Sequence, residues 1–343
     1  MPVLPTRPLG SSGMDLTVVG LGTGALGGAG WAFAWGHQDD DTSVATIRHA
    51  LEQGVNWIDT AAIYGLGHAE TLVARALHGL PDSDRPYVFT KCGQLWDPAD
   101  RGKPPRRVGD PASLRRGVEA SLRRLEAERI DLLQMHHPPQ DGTPLERYWQ
   151  TLLDLKAEGK VHAVGLSNHD HYQLQAAERL GCPDSLQARL SLIDRQIAEA
   201  ELPWCQDRRI GVIVYSPLHS GLLTGTFSQA EAAALPPGDW RVRAPEFTGE
   251  RLTRNLTLAR ALAPVAERHA TTVAAVAIAW TLAWPGVTGA IVGARQPAHV
   301  DGWLPAAALL LDPTDLDAIH TALASTRAGR GPTRPPGTTL GRG

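Results

Sequence analysis

Short apolar runs bounded by turn residues alternate with amphipathic stretches along most of this chain. Eight of the apolar runs predict buried strands, at residues 17–21, 55–58, 87–90, 130–135, 163–166, 185–188, 212–215 and 290–292. The stretches with helical spacing of apolar residues predict helices, at 42–52, 69–77, 113–125, 145–157, 172–180, 256–269, 273–284 and 315–323. Strands that alternate with helices pair in parallel. Eight such units predict an α/β fold, a closed (β/α)8 TIM barrel with its site at the carboxyl ends of the strands.

The predicted barrel accounts for residues 1–325 as a single domain, because no linker-like segment interrupts them. Glycines at 159, 181 and 211 fall at or soon after predicted helix ends, as is typical of helix C-caps. Residues 7–13 precede the first strand and predict a turn or small hairpin that closes the bottom of the barrel. Residues 326–343 contain Gly, Pro and Arg without apolar periodicity, which predicts a disordered C-terminal tail.

Composition and charge narrow the class of protein. The 343 residues are 43% apolar, enough to bury a large core, which excludes wholesale disorder. Lys and Arg number 33 against 36 Asp and Glu, a net charge of −3, and this near balance argues against a nucleic-acid partner. Cys92, Cys182 and Cys205 are odd in number and not clustered, so neither a disulfide framework nor a structural zinc site is indicated.

No targeting or membrane segment is predicted. The first ten residues lack the basic patch and apolar run that mark a signal peptide. The longest apolar stretch, residues 273–284, has 12 residues, whereas a bilayer crossing needs about 20. We therefore expect a cytoplasmic protein with no membrane partner.

A glycine-rich motif after the first predicted strand resembles a dinucleotide fingerprint. Gly22-Thr-Gly24-Ala-Leu-Gly27 fits the GxGxxG spacing. In a Rossmann unit the third glycine lies inside a helix whose N-terminus holds the pyrophosphate. Here more glycines and aromatic residues follow, and the next predicted helix begins only at residue 42. The motif is therefore interpreted as a loop at the barrel mouth that lets the backbone approach a ligand.

Ionisable residues follow the next three predicted strands. Asp59 ends the second strand and is followed by Tyr64, Lys91 ends the third, and His136 ends the fourth. Because these strands are neighbours in the predicted barrel, their side chains are expected at one rim. An ammonium beside a phenol is expected to lower the pKa of Tyr64, and a carboxylate partner holds the lysine charged. Such a tyrosine can transfer a proton near neutral pH.

These residues and others along the chain resemble the aldo-keto reductase family, in particular its bacterial branch, over roughly residues 7–322. The matching motifs are Gly20-Leu-Gly-Thr23, Asp59-Thr-Ala-x-x-Tyr64-Gly65, Thr90-Lys91, His136-x-Pro138, Gly165-Leu-Ser167-Asn168, Gln187, Tyr215-Ser-Pro-Leu218, Gly221-Leu-Leu-Thr-Gly225 and Gly293-Ala-Arg295. The resemblance implies a (β/α)8 barrel that reduces an aldehyde or ketone to an alcohol with NADPH, by reversible hydride transfer. The implied partner is therefore a small carbonyl or alcohol substrate.

The resemblance also assigns roles. Tyr64 is implied to be the general acid in reduction and the base in the reverse direction. Lys91 would adjust its pKa, Asp59 would pair with Lys91, and His136 would orient the carbonyl. Ser167, Asn168 and Gln187 would bind the carboxamide of the cofactor. The full set of implied cofactor residues is Thr23, Ser167, Asn168, Gln187, Tyr215, Ser216, Pro217, Leu218, Gly221, Leu223, Gly293, Arg295 and His299.

Within that set, Tyr215 would stack on the nicotinamide and the loop from Ser216 to Leu223 would cover the pyrophosphate. Arg295 would meet the 2′-phosphate, because a guanidinium fork suits a phosphate group. The chain departs from the family near the adenine, where His299 and Trp303 stand in place of the usual Gln and Asn. The adenine contacts are therefore left open.

Two histidines leave a choice at the fourth strand. The proline two residues after it favours His136 as the active histidine. Adjacent strand residues point to opposite faces, so His137 is interpreted as a rim or packing residue.

Two other functions stay open. A cluster of His136, His137, His169 and His171, completed by Asp59 or Asp170, suggests a metal-dependent barrel hydrolase. That interpretation gives Tyr64, Lys91 and Arg295 no role, so no metal site is predicted. The second alternative is a cofactor-binding regulatory subunit on the same fold.

The substrate and the oligomeric state are not set by the sequence. Trp31, Trp35 and Trp96 fall in predicted loops near the mouth and are candidate substrate walls. The loop at 100–107 carries Arg101, Lys103, Arg106 and Arg107, which either attract an anionic substrate or form a solvated basic surface.

Overall fold

The barrel is present in a computed structural model that describes residues 3–337. Eight parallel strands close on themselves, which confirms the predicted fold class. In chain order they are β3 (Val19–Gly22), β4 (Trp57–Asp59), β5 (Tyr87–Cys92), β8 (Ile130–Met135), β9 (Val161–Ser167), β10 (Ser185–Arg189), β11 (Gly211–Tyr215) and β12 (Val287–Gly293). Each strand pairs with the next in the chain, and β12 pairs with β3. The eight carboxyl ends therefore meet at one face.

Helices cover the outside of the barrel. They are α1 (Asp40–Glu52), α2 (His68–Leu77), α3 (Pro111–Leu125), α4 (Leu145–Ala157), α5 (His171–Glu178), α6 (Glu201–Asp207), α7 (Gln229–Ala233), α8 (Gly249–Ala261), α9 (Ala263–Arg268), α10 (Val273–Leu282), α11 (Pro297–Trp303) and α12 (Pro313–Thr326). The predicted helix at 256–269 is divided, because Pro264 in the first turn of α9 cannot continue α8. The apolar α10 is a buried core helix, and none of the helices described is long and apolar enough to cross a membrane.

A small antiparallel hairpin closes the amino-terminal end of the barrel, as the sequence predicts. It consists of β1 (Thr6–Pro8) and β2 (Asp15–Thr17). Leu9, Met14 and Leu16 of this hairpin are buried against Trp57 and Phe89 inside the barrel. The hairpin therefore seals the bottom of the barrel, and a ligand can enter only at the opposite face.

Trp57 occupies the barrel interior because a glycine stands opposite it. The indole is fully buried and its Nε1 donates a 2.7 Å hydrogen bond to the carbonyl of Thr17. A Cβ atom on Gly20 would lie 2.1 Å from the indole ring. A side chain at position 20 therefore requires the fully buried ring to move.

We expect Gly20→Ala to lower the free energy of unfolding by about 1–3 kcal/mol, because the added methyl overpacks a filled core. Gly117→Ala is the matched control. Gly117 lies inside α3, and among residues 3–337 no atom outside its own helix lies within 4 Å of the place a methyl group would take. Alanine there should stabilise the helix by about 0.5–1 kcal/mol. Equilibrium urea unfolding of both variants measures the difference. A Gly20→Ala protein as stable as the wild type would contradict this account of the core.

The segment after α12 is ordered as far as residue 337, which differs from the predicted disordered tail. Arg330 N donates to the carbonyl of Ile193 at 3.1 Å, and Arg195 N donates to the carbonyl of Arg330 at 3.0 Å. The Arg195 side chain is buried and donates to the carbonyls of Ala328 and Gly331. Backbone hydrogen bonds and the buried guanidinium of Arg195 hold this segment in place. Because apolar side chains are not what holds it, apolar periodicity in the sequence does not predict its packing. Residues 338–343 of the predicted tail lie outside the described residues.

Candidate active site

Four ionisable side chains converge at the carboxyl face, as their strand-end positions predict. Asp59 is the last residue of β4, Lys91 lies near the end of β5, and His136 follows β8 directly. Tyr64 begins a single 3₁₀ turn, Tyr64–Gly67, in the loop after β4. Three of the four groups thus lie at the ends of neighbouring parallel strands, and the short turn after β4 places Tyr64 beside them.

Glycines fix the position of the tyrosine turn. Gly65 has φ 61°, and a Cβ there would lie 2.1 Å from the carbonyl oxygen of Gly27. A Cβ on Gly27 would in turn lie 2.5 Å from the nitrogen of Gly65. The glycine-rich loop after β3 therefore presses directly on the turn that carries Tyr64. No helix follows this loop before α1 begins at Asp40, so the GxGxxG motif serves this close approach and not a Rossmann unit.

Lys91 joins the carboxylate and the phenol. Its Nζ donates to Asp59 Oδ2 at 2.6 Å, to the carbonyl of Thr60 at 2.9 Å and to Tyr64 Oη at 3.4 Å. The lysine side chain is fully buried and that of Asp59 nearly so. A buried ammonium needs a partner carboxylate to remain charged. The three contacts therefore hold a fixed positive charge beside the phenol oxygen.

The charges act on each other through a site largely shielded from water. Burial acts to lower the pKa of Lys91, but the charges and hydrogen bonds of Asp59 and Tyr64 together outweigh it and the pKa is raised. Burial raises the pKa of Tyr64 above its ordinary value of about 10, and the Lys91 ammonium opposes this only in part. The expected lowering of the Tyr64 pKa is therefore wrong, because the loss of water around the phenol outweighs one neighbouring cation. Tyr64 is protonated at neutral pH.

The two histidines lie side by side, with His136 next to the tyrosine. The rings of His136 and Tyr64 meet edge to face at 5.9 Å, and His137 stacks on His136 at 5.0 Å. The alternation expected of strand residues does not apply, because β8 ends at Met135 and both histidines follow it. Burial is the main cause that lowers the pKa of His136 well below its usual range, and that of His137 to about 4. Both rings are therefore neutral at pH 7.

Gln134, which the sequence analysis did not select, is linked to the carboxylate of Asp59 through Gln187. Gln134 lies opposite Lys91 in the register of β5 and β8 and is fully buried. Gln187 Nε2 donates to Asp59 Oδ1 at 2.8 Å and to Gln134 Oε1 at 3.3 Å. The signal for Gln134 was a polar residue among the apolar residues Leu132, Leu133 and Met135 of the strand. Gln187, predicted to bind a carboxamide, thus uses its NH₂ group on Asp59 and leaves Oε1 without a donor among residues 3–337.

Asn168 and Tyr215 form a second polar pair, at the ends of β9 and β11. Asn168 has φ 60°, a strained value for a residue other than glycine. Its Nδ2 donates to the carbonyl of His136 at 2.9 Å and to Ser167 Oγ at 3.0 Å. Tyr215 Oη donates to Asn168 Oδ1 at 2.7 Å. These contacts bring three of the predicted cofactor residues beside His136.

The loop after β11 turns sharply over the barrel mouth. Ser216, His219, Ser220 and Gly221 all have positive φ, and the last three are consecutive. Within this turn the nitrogens of His219 and Gly221 donate to the carbonyls of Ser216 and Leu218, at 2.8 and 3.1 Å, so these bonds close the turn on itself. Pro217 and Leu223 of the predicted cofactor set are buried, so they hold the loop in place from beneath.

Two arginines donate to backbone carbonyls of two different loops at this face. Arg295, after β12, donates from Nε to Gln38 Oε1 at 2.8 Å and from Nη2 to the carbonyl of His37. Arg241 donates to the carbonyl of Ser220 and pairs with the buried Asp239 at 2.7 Å. The sequence analysis missed Arg241, because its distance in the chain from β11 gave no indication that it returns to this loop.

The remaining predicted cofactor residues are divided between surface and interior. Gly293 is exposed, and His299 is exposed and accepts from the backbone N of Arg295 at 3.3 Å. Trp303 is only 2% exposed, so it is a core residue. Thr23 is completely buried and bonds the carbonyl of Asp59, so the structure does not bring it to the surface of the site. Thr23 therefore orients the strand that carries Asp59.

The three candidate tryptophans have different surroundings. Trp31 and Trp96 pack in one apolar cluster with Ile63 and Tyr64, which places them beside the phenol. Trp35 lies instead against Trp240, with ring centres 5.6 Å apart, and beneath the guanidinium of Arg241 at 4.8 Å. Trp35 thus joins the loop after β3 to the loop after β11 and does not line the pocket next to Tyr64.

The side chains proposed as metal ligands do not converge on one point. Within residues 3–337 no group of three His, Cys, Asp or Glu side chains is arranged to hold a metal ion. His169 is buried and bonds Tyr148 Oη at 2.8 Å and the carbonyl of Ser167 at 2.8 Å. His171 contacts Gln175 and Trp204. These two rings therefore have structural partners.

Comparisons with known proteins assign this site to a family. A sequence model of the Aldo/keto reductase family matches residues 18–324. A protein of Escherichia coli (strain K12) named NADH-specific methylglyoxal reductase is 35% identical over 322 residues, which cover 91% of this chain and 95% of that protein. Aldo-keto reductase YhdN of Bacillus subtilis (strain 168) is 31% identical and covers 93% of each chain.

A solved structure agrees with the sequence relatives. Glycerol dehydrogenase AKR11B4 from Gluconobacter oxydans superposes with a TM-score of 0.85 at 34% identity, over 98% of this chain and 99% of that one. The match covers the strands that carry Asp59, Lys91 and His136 as well as the loop with Tyr64. The chain therefore belongs to the aldo/keto reductase family and is an oxidoreductase.

Proposed function

We propose that this protein reduces an aldehyde or ketone to an alcohol with NADPH and that Tyr64 supplies the proton. The observation that carries the proposal is the buried Lys91, which contacts Asp59 at 2.6 Å and Tyr64 at 3.4 Å. An ammonium beside a phenol stabilises the phenolate that remains after proton transfer.

The residues after β9 to β12 fit a nicotinamide cofactor. Gln187 Oε1 has no donor among the described residues and suits the amide of a nicotinamide. The loop at 216–223 turns sharply over the mouth after β11, where it would cover a pyrophosphate. Arg295 is half-buried and has no carboxylate within 4 Å in the described part of the chain, which leaves its charge available to a phosphate. These residues belong to or follow the neighbouring strands β10, β11 and β12, so they lie along one side of the mouth.

The protein residues divide the chemistry among them. A bound nicotinamide cofactor supplies the hydride that adds to the carbonyl carbon. Tyr64 holds a proton at neutral pH and delivers it from Oη to the substrate oxygen, and Lys91 stabilises the phenolate left behind. Asp59 keeps Lys91 charged. His136 is neutral, so its ring can donate a hydrogen bond to the carbonyl oxygen without a competing proton-transfer equilibrium near pH 7.

The names of the relatives support the reaction class. The Escherichia coli protein is named for methylglyoxal and the Gluconobacter protein for glycerol, both three-carbon compounds. We therefore include small α-dicarbonyls and trioses among the first substrates to test.

The proposal is tested by the oxidation of NADPH and NADH with a panel of α-dicarbonyls, trioses, aliphatic and aromatic aldehydes and ketones. We expect cofactor oxidation that depends on at least one carbonyl, is proportional to enzyme and survives dialysis against a metal chelator. The absence of carbonyl-dependent oxidation with both cofactors would overturn the proposal.

Arg295 is expected to set the preference between the two cofactors. In Arg295→Ala we expect KM for NADPH to rise by about 10- to 100-fold and KM for NADH to change little. The reason is that the guanidinium is proposed to bind the 2′-phosphate, which NADPH carries and NADH lacks. Arg251→Ala is the control, since Arg251 is an exposed arginine of α8. Both cofactors are compared because the Escherichia coli relative is named NADH-specific. Equal losses for NADPH and NADH would remove this role from Arg295.

A further inference from the structure

A short hairpin beside the active site carries an arginine that the reaction does not use. Strands β6 (Gln94–Leu95) and β7 (Arg106–Arg107) follow β5 and pair antiparallel, with Gln94 opposite Arg107. The backbone carbonyl of Arg107 accepts a 3.0 Å hydrogen bond from the nitrogen of Gln140. The hairpin is thus tied to the loop after β8, which begins with the two stacked histidines.

The side chains of the two arginines of β7 point to opposite sides of the strand. Adjacent residues of a strand point to opposite sides, and Arg106 is exposed whereas Arg107 is half-buried. Arg107 is close enough to contribute to the lowered pKa values of His136 and His137, and Arg106 has no such effect. Arg107 therefore faces the histidines from the side of the hairpin, while its neighbour faces solvent.

A second guanidinium, that of Arg189, lies near the same histidine. Arg189, the last residue of β10, lies over the ring of Tyr215 at 5.4 Å and contributes to the lowered pKa of His137. Its nearest carboxylate is Asp194, at 3.9 Å. Among residues 3–337, no carboxylate lies within 4 Å of the Arg107 guanidinium. Two cations thus lie near His137. Of these, Arg107 has no counter-ion among residues 3–337.

The cofactor proposed above does not account for Arg107. The residues suited to the pyrophosphate and the 2′-phosphate follow β11 and β12, whereas Arg107 lies beyond β5 and is tied to the loop after β8. Arg107 and the cofactor residues are therefore on different sides of Tyr64 and His136. Arg107 is therefore available to a substrate group on the side of the catalytic residues away from the cofactor.

We propose that the preferred substrate is a carbonyl compound that carries an anionic group, a carboxylate or a phosphoryl group, and that Arg107 binds this group. The proposal rests on the carbonyl-reducing function proposed above and specifies its substrate class. A guanidinium binds either anion through paired N–H groups. Trp96, in the loop next to β6, packs with Tyr64 and offers an apolar surface to the rest of the molecule.

The test compares aldehydes that differ in the anion alone. One pair is 4-formylbenzoate and its methyl ester, and the other is glyceraldehyde 3-phosphate and glyceraldehyde. We expect kcat/KM to be at least about 10-fold higher for the anionic member of one pair, which identifies the anion, and Arg107→Ala to abolish this preference through KM. A hydrogen bond to a charged group has about this magnitude. Arg106→Ala is the matched control and should retain the preference.

The neutral members separate specificity from general damage. Arg107→Ala should reduce the methyl ester and glyceraldehyde as fast as the wild type does. The proposal is overturned if the wild type prefers the neutral member of both pairs, or if Arg107→Ala slows both members equally.

A binding measurement keeps the result separate from the proposed function. Calorimetric titration with the two alcohol products, 4-(hydroxymethyl)benzoate and glycerol 3-phosphate, needs no turnover. If no carbonyl is reduced at all, the proposed function fails, and this titration alone decides on the anion site. Binding that is lost in Arg107→Ala and kept in Arg106→Ala supports the site. Absence of binding of both anions to the wild type overturns it.

Discussion

Replacing Tyr64 with phenylalanine is expected to lower kcat for carbonyl reduction by about 10²- to 10⁴-fold, the contribution of a positioned general acid. The substitution removes one oxygen atom and keeps the ring that packs with Trp31, Trp96 and Ile63. The effect should therefore fall on proton transfer and not on the shape of the pocket. The measurement is steady-state reduction of the best carbonyl substrate at saturating cofactor.

Two controls make the result specific. Cofactor affinity, measured by quenching of tryptophan fluorescence, should be unchanged in Tyr64→Phe, because Tyr64 is not among the residues proposed to hold the cofactor. Tyr172→Phe removes the hydroxyl of a tyrosine that is 78% exposed on α5 and should leave kcat unchanged. A Tyr64→Phe enzyme with the wild-type kcat would eliminate Tyr64 as the proton donor.

Removing Lys91 is expected to affect both stability and activity. Lys91→Met leaves the Asp59 carboxylate buried without its cation, and breaking a buried ion pair in this way costs about 3–5 kcal/mol. The same change removes the charge that stabilises the Tyr64 phenolate. We therefore expect a large loss in the free energy of urea unfolding together with a large loss of kcat.

A double variant separates these two effects. Lys91→Met with Asp59→Asn removes both charges, and the asparagine oxygen can still accept from Gln187 Nε2. Stability should recover to within about 1–2 kcal/mol of the wild type, because no unpaired charge stays buried, while kcat should remain low. A double variant that regains activity would show that the lysine charge is not needed. A double variant that regains neither stability nor activity would show that the loss of stability in Lys91→Met was not caused by an isolated Asp59 carboxylate.

The barrel could be predicted from the sequence because its signals are local and repeated. Each strand is an apolar run between turn residues, and Asp59, Lys91 and His136 follow from the rule that parallel strands end at one face. The tyrosine turn was predicted by its distance from Asp59 in the family motif. The close approach of Gly27 and Gly65 that fixes this turn depends on two loops meeting, which no local pattern specifies.

The features that the sequence did not predict are long-range pairings. Arg195 holds the segment after α12 through backbone carbonyls, so the composition of that segment suggested disorder although it is bound. The pKa of Tyr64 depends on how much water the surrounding loops exclude, and proximity to Lys91 predicted the opposite direction. Arg106 and Arg107 are indistinguishable in sequence, and only the hairpin determines which of them faces the histidines.

The central claim is that hydride and proton are delivered to a carbonyl at this site. The direct measurement uses NADPH with deuterium in both C4 positions of the nicotinamide and the best carbonyl of the panel, followed by mass spectrometry of the alcohol. We predict one deuterium at the carbinol carbon of each alcohol molecule and one equivalent of oxidised cofactor. Alcohol without deuterium, or tight binding of NADPH with no alcohol formed from any carbonyl, would contradict the claim and favour a cofactor-binding regulatory protein on the same fold.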